Sequence, residues 1–100
     1  MTFEEFKDSL RKDKQPPTQL PLLLQALWHD ANGNWKRAHE IAQDVDNADG
    51  AWVHAYLHRK EGDLGNARYW YSRAGKAEFQ GALENEWEHV VRALLASRES

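Results

Sequence analysis

Apolar residues along this chain recur every three or four positions, and no stretch alternates in the two-residue rhythm of a strand. Phe3, Phe6 and Leu10 form the first stripe, with Thr2 and Glu5 spaced as a capping box. The polar run Arg11–Gln15 and then Pro16-Pro17 stop that helix, and this linker-like segment suggests that it is loosely attached. A second helix is expected from a Thr18 cap, with Pro21 in its first turn and Leu20, Leu23, Leu24, Leu27 and Ala31 on one face. Asn32-Gly33 breaks it. Because the flanks have helical period, Gly33 is assigned the left-handed position that closes a helix, and Asn34 the next cap. Trp35, Ala38, Ile41, Ala42 and Val45 follow. Asp49 is expected to cap a fourth helix carrying Trp52, Ala55, Tyr56 and Arg59, which ends at Gly62. Asp63 caps a fifth, with Leu64, Ala67, Trp70, Tyr71 and Ala74, which ends at Gly75. A last helix over about 78–97 carries Phe79, Leu83, Trp87, Val90, Val91, Leu94 and Leu95.

Part of this pattern occurs twice. Ala26, His29, Gly33 and Ala38 recur 29 positions later as Ala55, His58, Gly62 and Ala67. Self-similarity at a fixed helical period marks a repeat architecture. The copies span about 20–46 and 49–75. Alanine at the matched points lets helix backbones approach closely while bulkier residues fill the grooves between them.

The second copy resembles the tetratricopeptide family and its Sel1-like relative through Ala55, Gly62-Asp63, Ala67, Tyr71 and Ala74. The run from Asn66 to Gly75 is similar to the second helix of a Sel1 unit, and the first copy matches through Ala26, Gly33, Ala38 and Ala42. The resemblance implies an all-α fold of two stacked antiparallel helical hairpins, flanked by an N-terminal helix and a C-terminal capping helix. The 29-residue spacing is shorter than the ~34 of a tetratricopeptide unit, so the turn near 46–49 must be abbreviated. Two copies are few for a solenoid, whose ends need cover, so the terminal helices cap it or the chain forms a homodimer.

Composition narrows the function classes. One hundred residues make one domain, and five tryptophans, three tyrosines and three phenylalanines argue against disorder. A net charge of -3 with mixed acids and bases leaves no basic face for nucleic acid, and Tyr69-Trp70-Tyr71 lacks the basic groove of a stacking platform. The absence of cysteine excludes disulfides and thiolate metal sites. No apolar run is long enough to span a membrane, and Met1–Leu10 lacks the basic and apolar regions of a signal peptide, so a cytoplasmic location is expected.

The candidate chemistry lies on the fourth helix. His54, His58 and Glu61 stand at i, i+4 and i+7, within roughly 20–40 degrees of one another around the helix axis. Two imidazoles and a carboxylate are a ligand set for zinc or iron, and the same residues could do acid–base work near neutral pH. His29, from the equivalent helix, is expected near the same region. Against the metal reading, the repeat alignment puts His54 and His58 in packing positions, hydrogen-bonded to Asp44, Tyr71 or a backbone carbonyl. His29 and His58 share a repeat position, whereas His54 has only Gln25 as its counterpart, which makes His54 specific to the second copy.

The resemblance also implies a groove. Carried over position by position, it is lined by Leu23, Leu27, Asp30, Trp52, Tyr56 and Arg59, an aromatic and arginine set of the kind that anchors partners. The competing expectation is that the N-terminal helix or a terminal segment fills this groove and that these rings are ordinary core. No Gly-rich phosphate loop or nucleophile elbow is identified. The expected function is therefore non-enzymatic binding of a protein or peptide. The alternatives are a small metal-binding or hydrolytic protein using His54, His58 and Glu61, with a divalent metal as its only cofactor, and a homodimerising structural module.

Overall fold

Local capping chemistry sets most of the helix starts. Thr2 and Glu5 form the expected capping box, with Thr2 N donating to Glu5 Oε1 at 2.8 Å and Glu5 N to Thr2 Oγ1 at 3.1 Å. Asn34 and Asp63 cap as expected, accepting from Arg37 N and Asn66 N. The computed structural model describes residues 1–97, and among them the chain is all helical: α1 (Phe3–Lys12), α2 (Leu22–Ala31), α3 (Trp35–Gln43), α4 (Ala48–Lys60), α5 (Leu64–Ala74) and α6 (Leu83–Ser97). None of these helices is long and apolar enough to cross a membrane.

Three boundaries differ from expectation. Pro21 is the N-cap of α2 rather than a residue of its first turn, so Thr18 lies outside the helix. The cap of α4 is Asn47, whose side chain accepts from Gly50 N at 2.8 Å. Asp49 falls in the first turn instead, where a carboxylate opposes the positive end of the helix dipole. The last helix starts at Leu83 rather than near 78, because Gly81 has a φ of 136°, which no helix accommodates.

The two tight turns of the repeat share two backbone hydrogen bonds. Asn34 N donates to the His29 carbonyl at 2.8 Å, and Asp63 N to the His58 carbonyl at 2.9 Å. Gly33 N and Gly62 N each donate to a carbonyl three residues back, Asp30 and Arg59, at 3.0 Å. The two glycines have φ values of 86° and 90°, a region that side chains with a Cβ enter at a cost. Helices α2 and α3 pack together across the first turn, and α4 and α5 across the second; α3 also packs on α4.

Helix α4 lies at the centre. Every residue from Gly50 to His58 is buried, which a helix achieves only when it is surrounded on all sides. Helix α6 packs on both α2 and α4, bringing Val90, Val91, Leu94 and Leu95 into the core. Helix α1 packs on α6, with Phe3 and Phe6 each 5.9 Å from the Trp87 ring. Ser9 accepts from the buried Trp28 Nε1 at 3.0 Å, so α1 is fastened to the core despite the proline-containing segment that follows it. Each large side chain buried here contributes roughly 1.5–3 kcal/mol.

Candidate metal centre

Three imidazoles meet where α3, α4 and α5 pack. Their placement follows from short-range helical spacing. On α4, His54 and His58 stand one turn apart, so their rings stack, with centroids at 4.8 Å and planes at 19°. On α3, Trp35 and His39 have the same spacing and stack at 4.9 Å and 14°. Trp35 is fixed across the interface by Nε1 donating to the Leu57 carbonyl at 2.8 Å, and this delivers His39 to the α4 pair. His39 Nε2 and His54 Nε2 are 2.9 Å apart. On the far side, the Trp70 ring of α5 stacks on His54 at 4.1 Å and 18°. The histidine cluster thus sits between two indoles, one from α3 and one from α5.

The hydrogen bonds specify protonation states. A contact of 2.9 Å between two ring nitrogens requires one N–H and one bare nitrogen, so His39 and His54 cannot both be protonated there. His58 Nδ1 lies 2.8 Å from Glu61 Oε1, so Nδ1 donates to the carboxylate and leaves Nε2 as the ring's other nitrogen. Burial pushes the His54 imidazole down from its ordinary 6.5 to about 4, and the neighbouring His39 and His58 act in the same direction. Burial also lowers His39, again aided by His58. At neutral pH these two rings are uncharged bases, the form that ligates a metal.

The donor set fits a transition metal. One nitrogen from each of His39, His54 and His58 lies within 4.8 Å of the other two. Zinc with bonds of about 2.0–2.1 Å to a tetrahedral set needs nitrogens about 3.3 Å apart. The His39–His54 contact must open by about 0.4 Å, and the wider pairs must close by up to about 1.5 Å, changes within reach of ring rotation. Three imidazoles fill three positions of a tetrahedron and leave the fourth for water or substrate. The Glu61 carboxylate on His58 Nδ1 stands where an outer partner would aim the imidazole toward a bound metal. Glu61 also meets His58 and Asp63 in a second acidic grouping, but Asp63 is committed to capping α5 through Asn66.

The expected site residues are thus brought together differently from the sequence pattern. His54, His58 and Glu61 are adjacent as read, but Glu61 bonds to His58 rather than completing the nitrogen set, and His39 takes the third place. The bonding partners of His54 and His58 are His39 and Glu61, not Asp44 or Tyr71, because α3 presents His39 to the face that those residues do not reach. His29 stays apart, edge-on to Trp28 in the other copy. The signal that could have found His39 is the Trp35/His39 spacing, which repeats the four-residue step of His54/His58 on the helix before it.

The expected groove is filled by α6, in line with the competing expectation that a terminal segment covers it. Leu23, Leu27, Asp30, Trp52 and Tyr56 are all buried. Trp87 Nε1 donates to the Leu27 carbonyl at 3.0 Å, and Trp52 meets His89 edge-on. Arg59 binds the fully buried Glu86 at 2.8 Å, and Tyr71 donates to the other oxygen of that carboxylate. Asp30 accepts from Tyr56 and Lys60, each at 2.9 Å. Burial and these carboxylates push both tyrosine hydroxyls well above their ordinary range. Among the described residues no buried side-chain polar atom is left without a partner. This face is therefore occupied by the chain's own last helix, held through Leu27, Trp52 and Arg59. No protein-family model, curated protein or solved structure matches this chain.

Proposed function

We propose that this chain is a small metal-binding protein, with His39, His54 and His58 as the ligands of one divalent transition metal and Glu61 orienting His58. The observation that carries the reading is the convergence of three ring nitrogens from two helices within 4.8 Å of one another, two of them on rings held neutral by burial. A core that needed only volume would be cheaper to fill with leucine than with three polar rings, each of which needs a partner. Zinc suits an all-imidazole set with an open fourth position, which makes hydrolysis by a metal-bound water the accessible chemistry. The frame that holds the site is a two-copy helical repeat of tetratricopeptide or Sel1 type, a reading supported by the matched turns at Gly33 and Gly62. Peptide binding in the repeat's groove loses support, since a peptide there would have to displace α6 and its ion pair to Arg59.

Calorimetric titration of tag-free protein with zinc tests this reading. One equivalent is expected to bind, and His39→Ala, His54→Ala and His58→Ala are each expected to abolish saturable binding. Glu61→Gln should weaken it by about 10–100-fold, the usual effect of removing an outer-shell partner. Binding that survives all three histidine substitutions, or no binding by the native chain, would show the histidines to be packing residues alone.

A further inference from the structure

Beside the three imidazoles, α3, the segment after it, α4 and α5 enclose a cleft of about 430 Å³. That is the size of a site for a small molecule. His54 is part of its wall, so the cleft and the metal centre share a residue. Ala42, Val45 and Ala51 supply apolar wall and Trp70 an indole. Two charges of opposite sign line the same space, Arg73 from α5 and Asp46 from the connection between α3 and α4. Among the described residues, neither is in an ion pair, with the other or with any third group. The Arg73 guanidinium lies over the Trp70 ring, 5.5 Å from its centroid, and its one hydrogen bond is a long 3.3 Å to the Tyr69 hydroxyl. The Asn47 side-chain oxygen is already committed to capping α4.

An unpaired cation and an unpaired anion across a small, aromatic-walled space complement a ligand that carries both charges itself. We infer that this cleft binds a small zwitterion of the α-amino-acid class, its carboxylate on Arg73, its ammonium on Asp46 and its side chain against Trp70. The inference rests on the metal reading, because His54 belongs both to the cleft wall and to the candidate ligand set, and it names the substrate class of that same site.

The test uses tag-free, zinc-loaded protein and three probes titrated separately: phenylalanine, hydrocinnamate with the carboxylate alone, and phenethylamine with the ammonium alone. Phenylalanine is expected to bind about tenfold more tightly than either, a difference of ~1.4 kcal/mol. Arg73→Ala should remove the advantage over phenethylamine, and Asp46→Asn the advantage over hydrocinnamate, with zinc affinity unchanged in both variants. Equal binding of the three probes, no binding of any, or indifference to both substitutions overturns the inference while leaving the metal reading intact. A chain that does not bind zinc overturns both.

Discussion

The protonation of His54 links the candidate site to stability. Its folded-state pKa of about 4 lies below the 6.5 of an exposed imidazole, with burial as the main cause. Between those values the unfolded chain binds a proton that the folded chain refuses, so stability rises with pH across that window. Metal-free protein is therefore expected to be most stable above about pH 6.5 and to lose stability progressively toward pH 4, with His39 adding in the same direction. Urea midpoints at pH 7 and pH 5 in the presence of a chelator check this, and His54→Leu should show a smaller difference between the two pH values than the native chain. Equal differences would mean that His54 titrates normally. The sequence discloses His54 and His58 because both stand on one helix, where spacing alone puts them on one face. His39 is invisible to that argument, since it joins them only through the packing of α3 on α4 and the tether of Trp35 to Leu57. Spacing likewise shows that Glu61 is near His58, but not which of its neighbours it bonds.

At the scale of helices, the breaks between apolar stripes are legible and the cap identities are less so. Asn34 and Asp63 follow a glycine that ends the preceding helix, which leaves one position for the cap. Before α4, Asp46, Asn47 and Asp49 compete with similar chemistry, and periodicity cannot rank them. The choice of Asn47 has a packing reason at Gly50, where a Cβ would collide with the Val45 carbonyl oxygen. The chain thus turns back tightly onto the first turn of α4, and this four-residue connection over 44–47 accounts for part of the short repeat. Gly50→Ala is expected to destabilise the fold by about 1–3 kcal/mol, as the backbone shifts to admit the methyl group. At Gly33 an added Cβ meets nothing within 4 Å, so Gly33→Ala carries only the conformational cost of about 1–2 kcal/mol for the left-handed backbone. Zinc titration separates the two variants further: Gly50→Ala should alter zinc affinity, because α4 carries two of the proposed ligands, whereas Gly33→Ala should leave it unchanged.

Over the whole molecule, α6 decides what the repeat can do. It closes the face that a helical repeat would offer to a partner, and it does so with a buried Glu86 shared by Arg59 and Tyr71. The resemblance implies the six groove residues as a face of two helices, but its occupant depends on where a helix more than twenty residues away comes to rest, which spacing does not encode. Glu86→Ala leaves Arg59 with only the Gly81 carbonyl and the Tyr71 hydroxyl without its acceptor, and should destabilise the fold by about 3 kcal/mol, the lower end for breaking a buried pair because Arg59 keeps some exposure. Removing the exposed Glu88 from its pair with Arg92 should change stability by less than about 1 kcal/mol. With that face closed, the histidine cluster between α3, α4 and α5 remains as a convergent set of three partly or fully buried ring nitrogens. The most direct measurement is the thermal unfolding of tag-free native chain and His39→Ala, each with and without one equivalent of zinc. A ligand that binds only the folded state raises its stability by mass action, about 2.7 kcal/mol at a free concentration a hundred times the dissociation constant. The account predicts a raised midpoint with zinc for the native chain and none for His39→Ala. Equal shifts in both, or no shift in either, would contradict it.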